Sequence, residues 1–493
     1  MSTTLTTLLP HIPLLIKTAI LHGLHLSPGS GKQDLRTELT VTLIRSIMEQ
    51  PLQPIGKQQR ASMRETGLQG PLWVSKVVLP APEPDVRDAV VRAIEALKVG
   101  DETFDIPAVL PVEAEWTGYR SGVSKNAPWP DLSDEEKYKA LKDETTTDTV
   151  ILYFHGGAHF LMDPSTHRVS VSRLSKETGA PVLSVRYRLS PQNPFPAAIV
   201  DALVAYLSLV SPPPGSFHTA VPANKIVLAG DSAGGNLALG LLQTLLTLRR
   251  IGEGGASVQF HGKQVPIDLP EGAALTSPWC DISRSMPSVS SNAYLDYLPP
   301  PTQPSDAPYL PAPVPADEVW PCSPPRVDMY TNATAVIHPL ASPVAAHTEL
   351  WKTCPPVFIS MGEEELADEG LVLARRMHGA GVAVCVEQFE GMPHCFGLVM
   401  QGTRGSDRYF EGCASFYRDL AAGKVVAAAG EAAEQDSSAG RRTGCVDFIE
   451  FRHQKTTKVT PLDKVELPSD EKVDKLLRNA KHWRVEGEKE LQK

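Results

Sequence analysis

The sequence predicts an α/β fold in which a mostly parallel central sheet carries helices on both faces. From about residue 148, short runs rich in β-branched and aromatic residues are apolar almost throughout, as strands buried on both faces are. Helical apolar patterns separate several of these runs, and such an alternation of strands and helices is typical of parallel sheets. The predicted strands are residues 149–154, 181–185, 225–229, 273–277, 356–360 and 384–389.

The helices are predicted from apolar residues that recur every three or four positions. Two such patterns, at residues 196–210 and 366–379, lie between predicted strands. Two further stripes lie near the N-terminus, and they indicate that the region 1–100 is mainly helical. The first stripe consists of Leu35, Leu39, Leu43 and Ile47, and the second of Val86, Val90, Ile94 and Leu97.

Composition divides the rest of the chain. The α/β domain is predicted to span 101–424, with an excursion at residues 252–265. Within this domain, residues 298–325 are too rich in proline for a packed helix or a central strand, so either a disordered insertion or an extended strap is expected. The tail at 425–493 begins with a linker composition and ends in a charged stretch, for which we expect a peripheral helix or disorder.

The overall composition excludes several classes of protein. With 42% hydrophobic and 21% charged residues, the 493-residue chain has the composition of a soluble globular protein. Its formal net charge of −10, without a concentrated basic stripe, argues against a nucleic-acid partner. Its seven cysteines are scattered and form no CxxC pair, so neither a zinc site nor a disulfide framework is predicted. These features favour a reduced intracellular protein, and the cytoplasm is its expected location.

The apolar segment at residues 11–26 is predicted to form an amphipathic helix. It is shorter than the ~20 residues that a membrane span requires, and Lys17 and three histidines interrupt it. It also lacks the early positive region and the small-residue cleavage site of a signal peptide. We favour packing of this helix on the protein, and peripheral contact with a membrane surface is the alternative.

A G-x-S-x-G motif occupies residues 230–234, between the predicted strand at 225–229 and an apolar helical stretch. In this strand–turn–helix context, small flanking residues permit a sharp turn that holds the serine above the sheet. The N-terminal N–H groups of the following helix point toward that serine. Ser232 is therefore the predicted nucleophile, and it requires a base because a neutral hydroxyl is a poor nucleophile.

A base and an acid are expected further along the chain, in the order acid and then histidine. His394 lies in the stretch GMPHCFG, just after the predicted strand at 384–389, and is the candidate base. Several carboxylates follow the predicted strand at 356–360, where they are placed to orient a histidine. These candidates are Glu363, Glu364, Glu365 and Asp368, and the residues alone leave the choice among them open.

The stretch HGGAH at residues 155–159 directly follows the first predicted strand. Consecutive glycines allow backbone N–H groups to turn toward a bound carbonyl oxygen, so this stretch is the predicted cradle for an oxyanion. Its two histidines and nearby His167 have no fixed helical spacing and no paired cysteine or carboxylate. A metal site is therefore not predicted here.

Taken together, five ordered motifs resemble the hormone-sensitive-lipase-like branch of the α/β-hydrolases. They are HGGAH, YRLSPQNPFPAAIVDA (187–202), GDSAGGNLA (230–238), SPWCDIS (277–283) and GMPHCFG, and the resemblance covers roughly residues 148–400. It implies an α/β-hydrolase fold and the activity of a carboxylic-ester hydrolase. It also implies that N-terminal residues and an excursion late in the sheet form a cap over the acyl pocket, where Tyr294 and Tyr297 are candidate lining residues.

The resemblance assigns roles to particular residues. It implies that Ser232 is the nucleophile and His394 the general acid–base. Glu364 takes the position of the family's acid, which is commonly Asp, and Glu363 and Asp368 remain alternatives. The implied oxyanion donors are the backbone N–H groups of Gly157, Ala158 and Ala233, although Ala158 replaces the last glycine of the family's HGGG motif.

The function expected from the sequence is hydrolysis of a small or lipophilic carboxylic ester, such as an acetyl ester, through an acyl-enzyme. The expected partner is thus a small-molecule ester, and no cofactor is required. One alternative is a small-molecule-binding protein on a hydrolase scaffold, as in the gibberellin receptors, which belong to this branch but lack the catalytic histidine. The presence of His394 disfavours that alternative. The other alternative is an acyltransferase that uses the same triad.

Overall fold

One central sheet organises the computed structural model, which describes residues 9–49, 52–65, 68–301, 303–311, 313–427 and 441–493. The strands are β1 (Leu72–Leu79), β2 (Val112–Tyr119), β3 (Val150–Phe154), β4 (Val182–Arg186), β5 (Ile226–Asp231), β6 (Ser257–Phe260), β7 (Lys263–Pro266), β8 (Gly272–Thr276), β9 (Val357–Gly362), β10 (Val384–Phe389), β11 (Cys445–Ile449) and β12 (Thr456–Pro461). All of these strands except β6 and β7 pair in the central sheet, in the order β1-β2-β4-β3-β5-β8-β9-β10-β11-β12.

The helices are α1 (Ile12–Gly23), α2 (Leu35–Met48), α3 (Ile55–Ser62), α4 (Asp85–Leu97), α5 (Asp134–Asp143), α6 (Pro164–Thr178), α7 (Ala197–Val210), α8 (Ala233–Ile251), α9 (Ser288–Ser291), α10 (Ala367–Gly379), α11 (Phe396–Val399), α12 (Arg404–Ala421) and α13 (Asp470–Leu491). Short 3-10 turns occur at Leu9–His11, Ala223–Lys225, Ala293–Leu295, Ala333–Ala335, Pro343–Ala345, Thr348–Trp351 and Leu462–Lys464.

The middle of the sheet is parallel, and its edges are antiparallel. Strands β4, β3, β5, β8, β9, β10 and β11 run parallel to one another, whereas β2 pairs antiparallel with β4 and β1 at one edge and β12 pairs antiparallel with β11 at the other. Helices α6 and α12 cover one face, where Phe416 of α12 stacks on Phe358 of β9 with ring centroids 5.4 Å apart. Helices α4, α7, α8 and α10 contribute to the core on the other face. The predicted fold class is therefore confirmed.

Each of the six predicted strands is present, and the strand predicted at 384–389 has those limits. The two helices predicted between strands correspond to α7 and α10, and the two N-terminal stripes correspond to α2 and α4. These predictions succeed because apolar periodicity reports directly on which side of an element is buried.

The prediction of a helical N-terminal region fails at residues 72–79. Strand β1 lies there and pairs with β2 along its whole length, so this part of the region 1–100 belongs to the central sheet. Its first four residues are buried, and exposed and half-buried positions follow. The paired residues that are closest in the chain, Leu79 and Val112, are 33 residues apart. Local periodicity does not reveal a pairing partner at that distance.

The tail at 425–493 is also more than a peripheral segment. Strand β11 pairs in parallel with β10, and β12 pairs with β11, so the tail extends the central sheet by two strands. The helix expected near the C-terminus is present as α13. It does not lie free at the surface, because its Arg484 is buried and forms an ion pair with Asp328 at 2.8 Å. The residues 428–440, where a linker was expected, lie outside the described residues.

The proline-rich stretch is an extended strap rather than a helix or strand. Asp317 accepts a hydrogen bond from the backbone N–H of Gly56 on α3, at 2.7 Å. Eight residues earlier in the strap, Tyr309 donates its backbone N–H to the carbonyl oxygen of Trp483 on α13, at 3.0 Å. A side chain at Gly487 would collide with Tyr309, since its Cβ would lie 1.8 Å from the Tyr309 carbonyl oxygen. The strap therefore links the N-terminal helices to the C-terminal helix. The excursion at 252–265 contains the separate β6–β7 hairpin.

The predicted N-terminal helix is present as α1, but the packing that we favoured for it is only partial. None of its residues is buried, and it rests on α2 through half-buried side chains such as Leu15 and Ala19. Within the described ranges, no helix is both long enough and apolar enough to cross a membrane.

Candidate active site

The candidate site residues follow the carboxyl ends of parallel strands. Ser232 follows β5. Glu364 follows β9 and His394 follows β10, which are the second and third strands from β5 in the sheet. The segment after β8 lies between them and carries Ser277. Since the carboxyl ends of parallel strands meet at one edge, these side chains share that edge, which is the usual position of sites in open α/β sheets.

Ser232 sits on a strained turn between β5 and α8. Its backbone has φ 53° and ψ −120°, a conformation that costs energy for a residue with a side chain. The neighbouring glycines make the turn possible, because a Cβ at Gly234 would lie 2.0 Å from the carbonyl oxygen of Phe154, and one at Gly230 would lie 2.4 Å from that of Gly234. Ser232 itself is half-buried. The turn thus has the geometry that the G-x-S-x-G spacing predicts.

His394 contacts one of the four candidate carboxylates. Its Nδ1 lies 2.8 Å from Oε1 of Glu364, and both side chains are buried. The other carboxylate oxygen of Glu364 accepts hydrogen bonds from the hydroxyl of Ser277, at 2.6 Å, and from the N–H of Gly362, at 3.0 Å. The carboxylate is therefore fixed from three directions with one oxygen aimed at the imidazole.

The other three carboxylates are bonded elsewhere. Glu363 forms an ion pair with Lys32 and accepts a hydrogen bond from the N–H of Gly391 at 3.1 Å. Glu365 pairs with Arg284. Asp368 accepts a hydrogen bond from the N–H of Ser288 at 2.9 Å, near the start of α9. Of the four candidates, the structure brings only Glu364 to His394.

The surroundings of His394 favour its charged form. Burial alone would lower the pKa of His394, but the Cys395 sulfur and the Glu364 carboxylate beside it hold this pKa well above its ordinary value. Burial raises the pKa of the Cys395 thiol to about 11, although His394 opposes this shift. The ring of Tyr297 meets the imidazole edge to face, with centroids 6.1 Å apart. Tyr297 thus borders the site, whereas Tyr294 is exposed.

The HGGAH stretch forms a tight loop directly after β3. Gly157 has φ 104°, and a Cβ there would lie 2.2 Å from the carbonyl oxygen of Leu161, so glycine is required. The next residue, Ala158, has φ 53°. Among the residues that the structure describes, none accepts a hydrogen bond from the backbone N–H of Gly157, Ala158 or Ala233. These three donors remain available to a ligand.

Asp231, the residue before the serine, is hydrogen-bonded to this loop. It is buried and accepts hydrogen bonds from the hydroxyl of Tyr153, at 2.7 Å, and from the N–H of Gly156, at 3.1 Å. Burial would raise the pKa of Asp231, but His167, 3.3 Å away, holds it below its ordinary value. Gly156 has to be glycine, because a Cβ would lie 2.3 Å from the Asp231 carboxylate. No role was predicted for Asp231 from the sequence.

The two other histidines of the loop are held within the protein. His155 stacks on Tyr187 with ring centroids 4.3 Å apart, and His159 stacks on Tyr330 at 3.8 Å. Burial lowers the pKa of both histidines to about 3, so both are neutral at physiological pH. Within the described residues, no group of three or more His, Cys, Asp or Glu side chains is arranged to hold a metal ion.

Asp296, for which the sequence predicts no role, links the two loops that carry the acid and the base. Its fully buried carboxylate accepts hydrogen bonds from the N–H of His394, at 3.1 Å, and from the N–H of Glu365, at 2.9 Å. The main chain of Asp296 is bonded to Arg45 of α2. No local motif indicates this residue, because its partners Glu365 and His394 lie 69 and 98 residues away in the chain.

We expect Asp296→Asn to lower kcat by about 10- to 100-fold, because an amide cannot accept all of these hydrogen bonds and the His394 loop shifts. KM and the melting temperature should change little. Steady-state kinetics and thermal unfolding check this, with Asp407→Asn, which removes an exposed ion pair with Arg173, as the control. If kcat of Asp296→Asn equals that of Asp407→Asn, Asp296 does not position the loop.

Comparison with known proteins places this geometry in a family. A family model described as alpha/beta hydrolase fold matches residues 151–398, about half of the chain. The chain belongs to the α/β-hydrolase family. This α/β hydrolase is 32% identical to an acetyl-hydrolase of Streptomyces hygroscopicus over 245 residues, which are 50% of this chain and 67% of that protein.

Two further similarities concern the branch of the family. Over 92 residues, 18% of this chain and 8% of the other, the hydrolase is 36% identical to human hormone-sensitive lipase. It shares its fold with an esterase from the bacterial hormone-sensitive lipase family, with 22% identity and a TM-score of 0.50, over 79% of this chain and 99% of that one. The resemblance to hormone-sensitive-lipase-like hydrolases is thus confirmed, and the similarity to the Streptomyces acetyl-hydrolase supports the class of carboxylic-ester hydrolase.

Proposed function

We propose that this hydrolase cleaves carboxylic esters through a covalent acyl-enzyme on Ser232, with His394 as general acid–base and Glu364 as the triad acid. The observation that carries the proposal is the buried contact between His394 and Glu364 at the same sheet edge as the strained Ser232 turn. A carboxylate fixed on Nδ1 keeps Nε2 free to accept the proton of a serine hydroxyl.

In the first half-reaction, the Ser232 oxygen attacks the ester carbonyl carbon while His394 accepts the hydroxyl proton. The carbonyl π electrons move to oxygen, and the resulting oxyanion is bound by the N–H groups of Gly157, Ala158 and Ala233. Glu364 stabilises the imidazolium. When the tetrahedral intermediate collapses, the C–O bond to the alcohol breaks, and His394 returns the proton to the departing oxygen.

In the second half-reaction, water takes the place of the alcohol. His394 removes a proton from the water as its oxygen attacks the acyl carbon, and the same N–H groups bind the second oxyanion. Collapse breaks the bond to Ser232, which recovers its proton from the imidazolium. The products are the carboxylic acid and the free enzyme, and no cofactor takes part.

The acyl group is proposed to be short, with acetyl as the first candidate. This rests on the similarity to the Streptomyces acetyl-hydrolase. A series of p-nitrophenyl esters from acetate to decanoate tests it, and kcat/KM should be highest for acetate or the next members. A maximum at decanoate would overturn the short-acyl proposal but leave the catalytic residues in place.

Covalent labelling tests the proposed nucleophile directly. A fluorophosphonate should add one phosphonyl group to Ser232, identified by peptide mass spectrometry, and Ser232→Ala should not be labelled. A wild-type protein that binds esters but is not labelled would favour a binding function instead. Product analysis with added alcohols as acyl acceptors distinguishes hydrolysis from acyl transfer, and free acid should be the main product.

The raised pKa of His394 predicts a pH dependence. Only the neutral imidazole accepts the serine proton, so kcat/KM should fall toward low pH along one ionisation whose midpoint lies above the ordinary 6.5 of histidine. Glu364→Gln removes an attraction for the imidazolium, so it should move that midpoint to lower pH. Initial rates in a pH-stat with an alkyl acetate check both. A midpoint below 6.5 in wild type would contradict the prediction.

A further inference from the structure

Helix α1 carries an apolar stripe that nothing in the described part of the chain covers. Ile12, Ile16 and Ile20 follow one another at four-residue intervals and therefore lie along one face of the helix. Leu9 and Leu24 extend the stripe at its two ends. All five side chains are between 42% and 61% exposed, which is unusual for aligned residues of this kind. We call these five residues the α1 stripe.

The stripe points away from the protein. Helix α1 packs against α2, and its half-buried Leu15, Thr18 and His22 lie on the side away from the stripe, where His22 pairs with Glu38 of α2. A surface helix of a globular protein normally turns polar residues outward, whereas the outward face of α1 is apolar. Lys17, which is exposed, adjoins the stripe. This pattern is typical of helices that lie in a membrane interface.

The charge near the stripe differs from that of the whole chain. The formal net charge of the chain is −10, yet its first acidic residue is Asp34. The 33 residues before it contain two lysines and three histidines. Lys32 pairs with Glu363 and His22 with Glu38, so the exposed Lys17 is the cation that borders the stripe. A lysine beside an apolar stripe complements an anionic lipid surface, whose potential attracts such segments.

A second copy of the chain is a poorer match for this face. Helix α1 has 12 residues and is therefore about 18 Å long and roughly 10 Å wide, which is on the order of 200 Å² in projection. A stable protein interface requires about 800 Å² on each partner. A lipid interface needs only one helix face, immersed by about 5–10 Å.

We propose that the α1 stripe docks this protein on an anionic lipid surface. Docking there also brings the His394 loop near the lipid, because Gln33, shortly after α1, donates a hydrogen bond to the carbonyl oxygen of Gly391 at 2.7 Å. The segment is held further by the Lys32–Glu363 ion pair. Access to esters dissolved in the lipid is a consequence that rests on the proposed function, whereas the docking itself does not.

Vesicle flotation of the full chain tests the docking without any substrate. The probes are phosphatidylcholine vesicles with and without roughly a third of phosphatidylserine. Wild-type protein should float with the anionic vesicles, and Ile16→Glu should weaken this binding by about tenfold or more. Val99→Glu is the matched control, since Val99 is 89% exposed and lies outside the stripe. It should bind as wild type does.

A neutral variant separates loss of apolar surface from charge repulsion. The double change Ile16→Ser with Ile20→Ser should also lose binding, and thermal unfolding checks that each variant is folded. Lack of flotation by wild type, or wild-type binding by Ile16→Glu, would overturn the proposal. Equal binding to neutral vesicles would overturn its electrostatic part. A concentration-dependent dimer that Ile16→Glu abolishes, without vesicle binding, would overturn it in favour of self-association.

Discussion

Ser232→Ala should lower kcat for p-nitrophenyl acetate by about 10⁴- to 10⁶-fold, the range expected when a nucleophile that acts as one unit with its base is removed. The variant keeps a Cβ on the strained turn, so the backbone at φ 53° is not relieved. The fold should therefore persist, and thermal unfolding should match that of wild type. The residual rate is measured with purified protein from the release of p-nitrophenol over long incubation times.

The control for this change is Ser290→Ala, since Ser290 is exposed at the short helix α9. Its rate should equal that of wild type. Residual activity in Ser232→Ala must be checked against trace wild-type enzyme by fluorophosphonate titration. Undiminished hydrolysis in Ser232→Ala would exclude an acyl-enzyme on this serine. It would also exclude the proposed role of His394 as the base that accepts the Ser232 proton.

Glu364→Gln should lower kcat by about 10³- to 10⁴-fold, because a neutral amide neither fixes the required imidazole tautomer nor stabilises the imidazolium. The substitution preserves size in a fully buried position, so packing is largely retained. The hydrogen bonds from Ser277 and Gly362 to Oε2 indicate that this oxygen is held as an acceptor. The effect should appear mainly in kcat.

The neighbouring residue provides a matched control. Glu363→Gln makes the same chemical change one position away, where the carboxylate pairs with Lys32 and does not touch His394. Its effect on kcat should stay within about fivefold, as for other partly exposed ion pairs. If Glu363→Gln is the more damaging of the two, the triad acid is Glu363 and the contact with Glu364 serves stability alone.

Several parts of the molecule could be predicted because their signals are local. The strand β5, the serine turn and the helix α8 lie within 26 consecutive residues, as their limits Ile226–Asp231 and Ala233–Ile251 show. Runs that are apolar throughout, such as Val150–Phe154, indicate by their composition a strand that is buried on both faces. The same holds for Gly157, whose steric neighbour Leu161 is close to it in the chain, whereas the neighbour that requires a glycine at 156 is the distant Asp231.

Other parts depend on contacts between distant residues. Strand β1 was predicted as part of a helical region, and β11 and β12 as part of a peripheral tail, because a strand at the edge of a sheet is defined by its partner. Asp296 is another example, since it accepts hydrogen bonds from two N–H groups, those of Glu365 and His394, that are distant in the chain. The direction in which the α1 stripe faces was likewise not contained in its periodicity.

The class of fold, the chain order of the serine, the acids and the histidine, and the family resemblance could all be predicted from the sequence, because their signals lie in residues close together in the chain. Which carboxylate contacts His394 depends on tertiary contacts. Four acidic side chains follow β9 within six residues, from Glu363 to Asp368, and they differ in where the surrounding loops provide partners. Lys32, Arg284 and Ser288 bind three of them, and that leaves Glu364 for the imidazole.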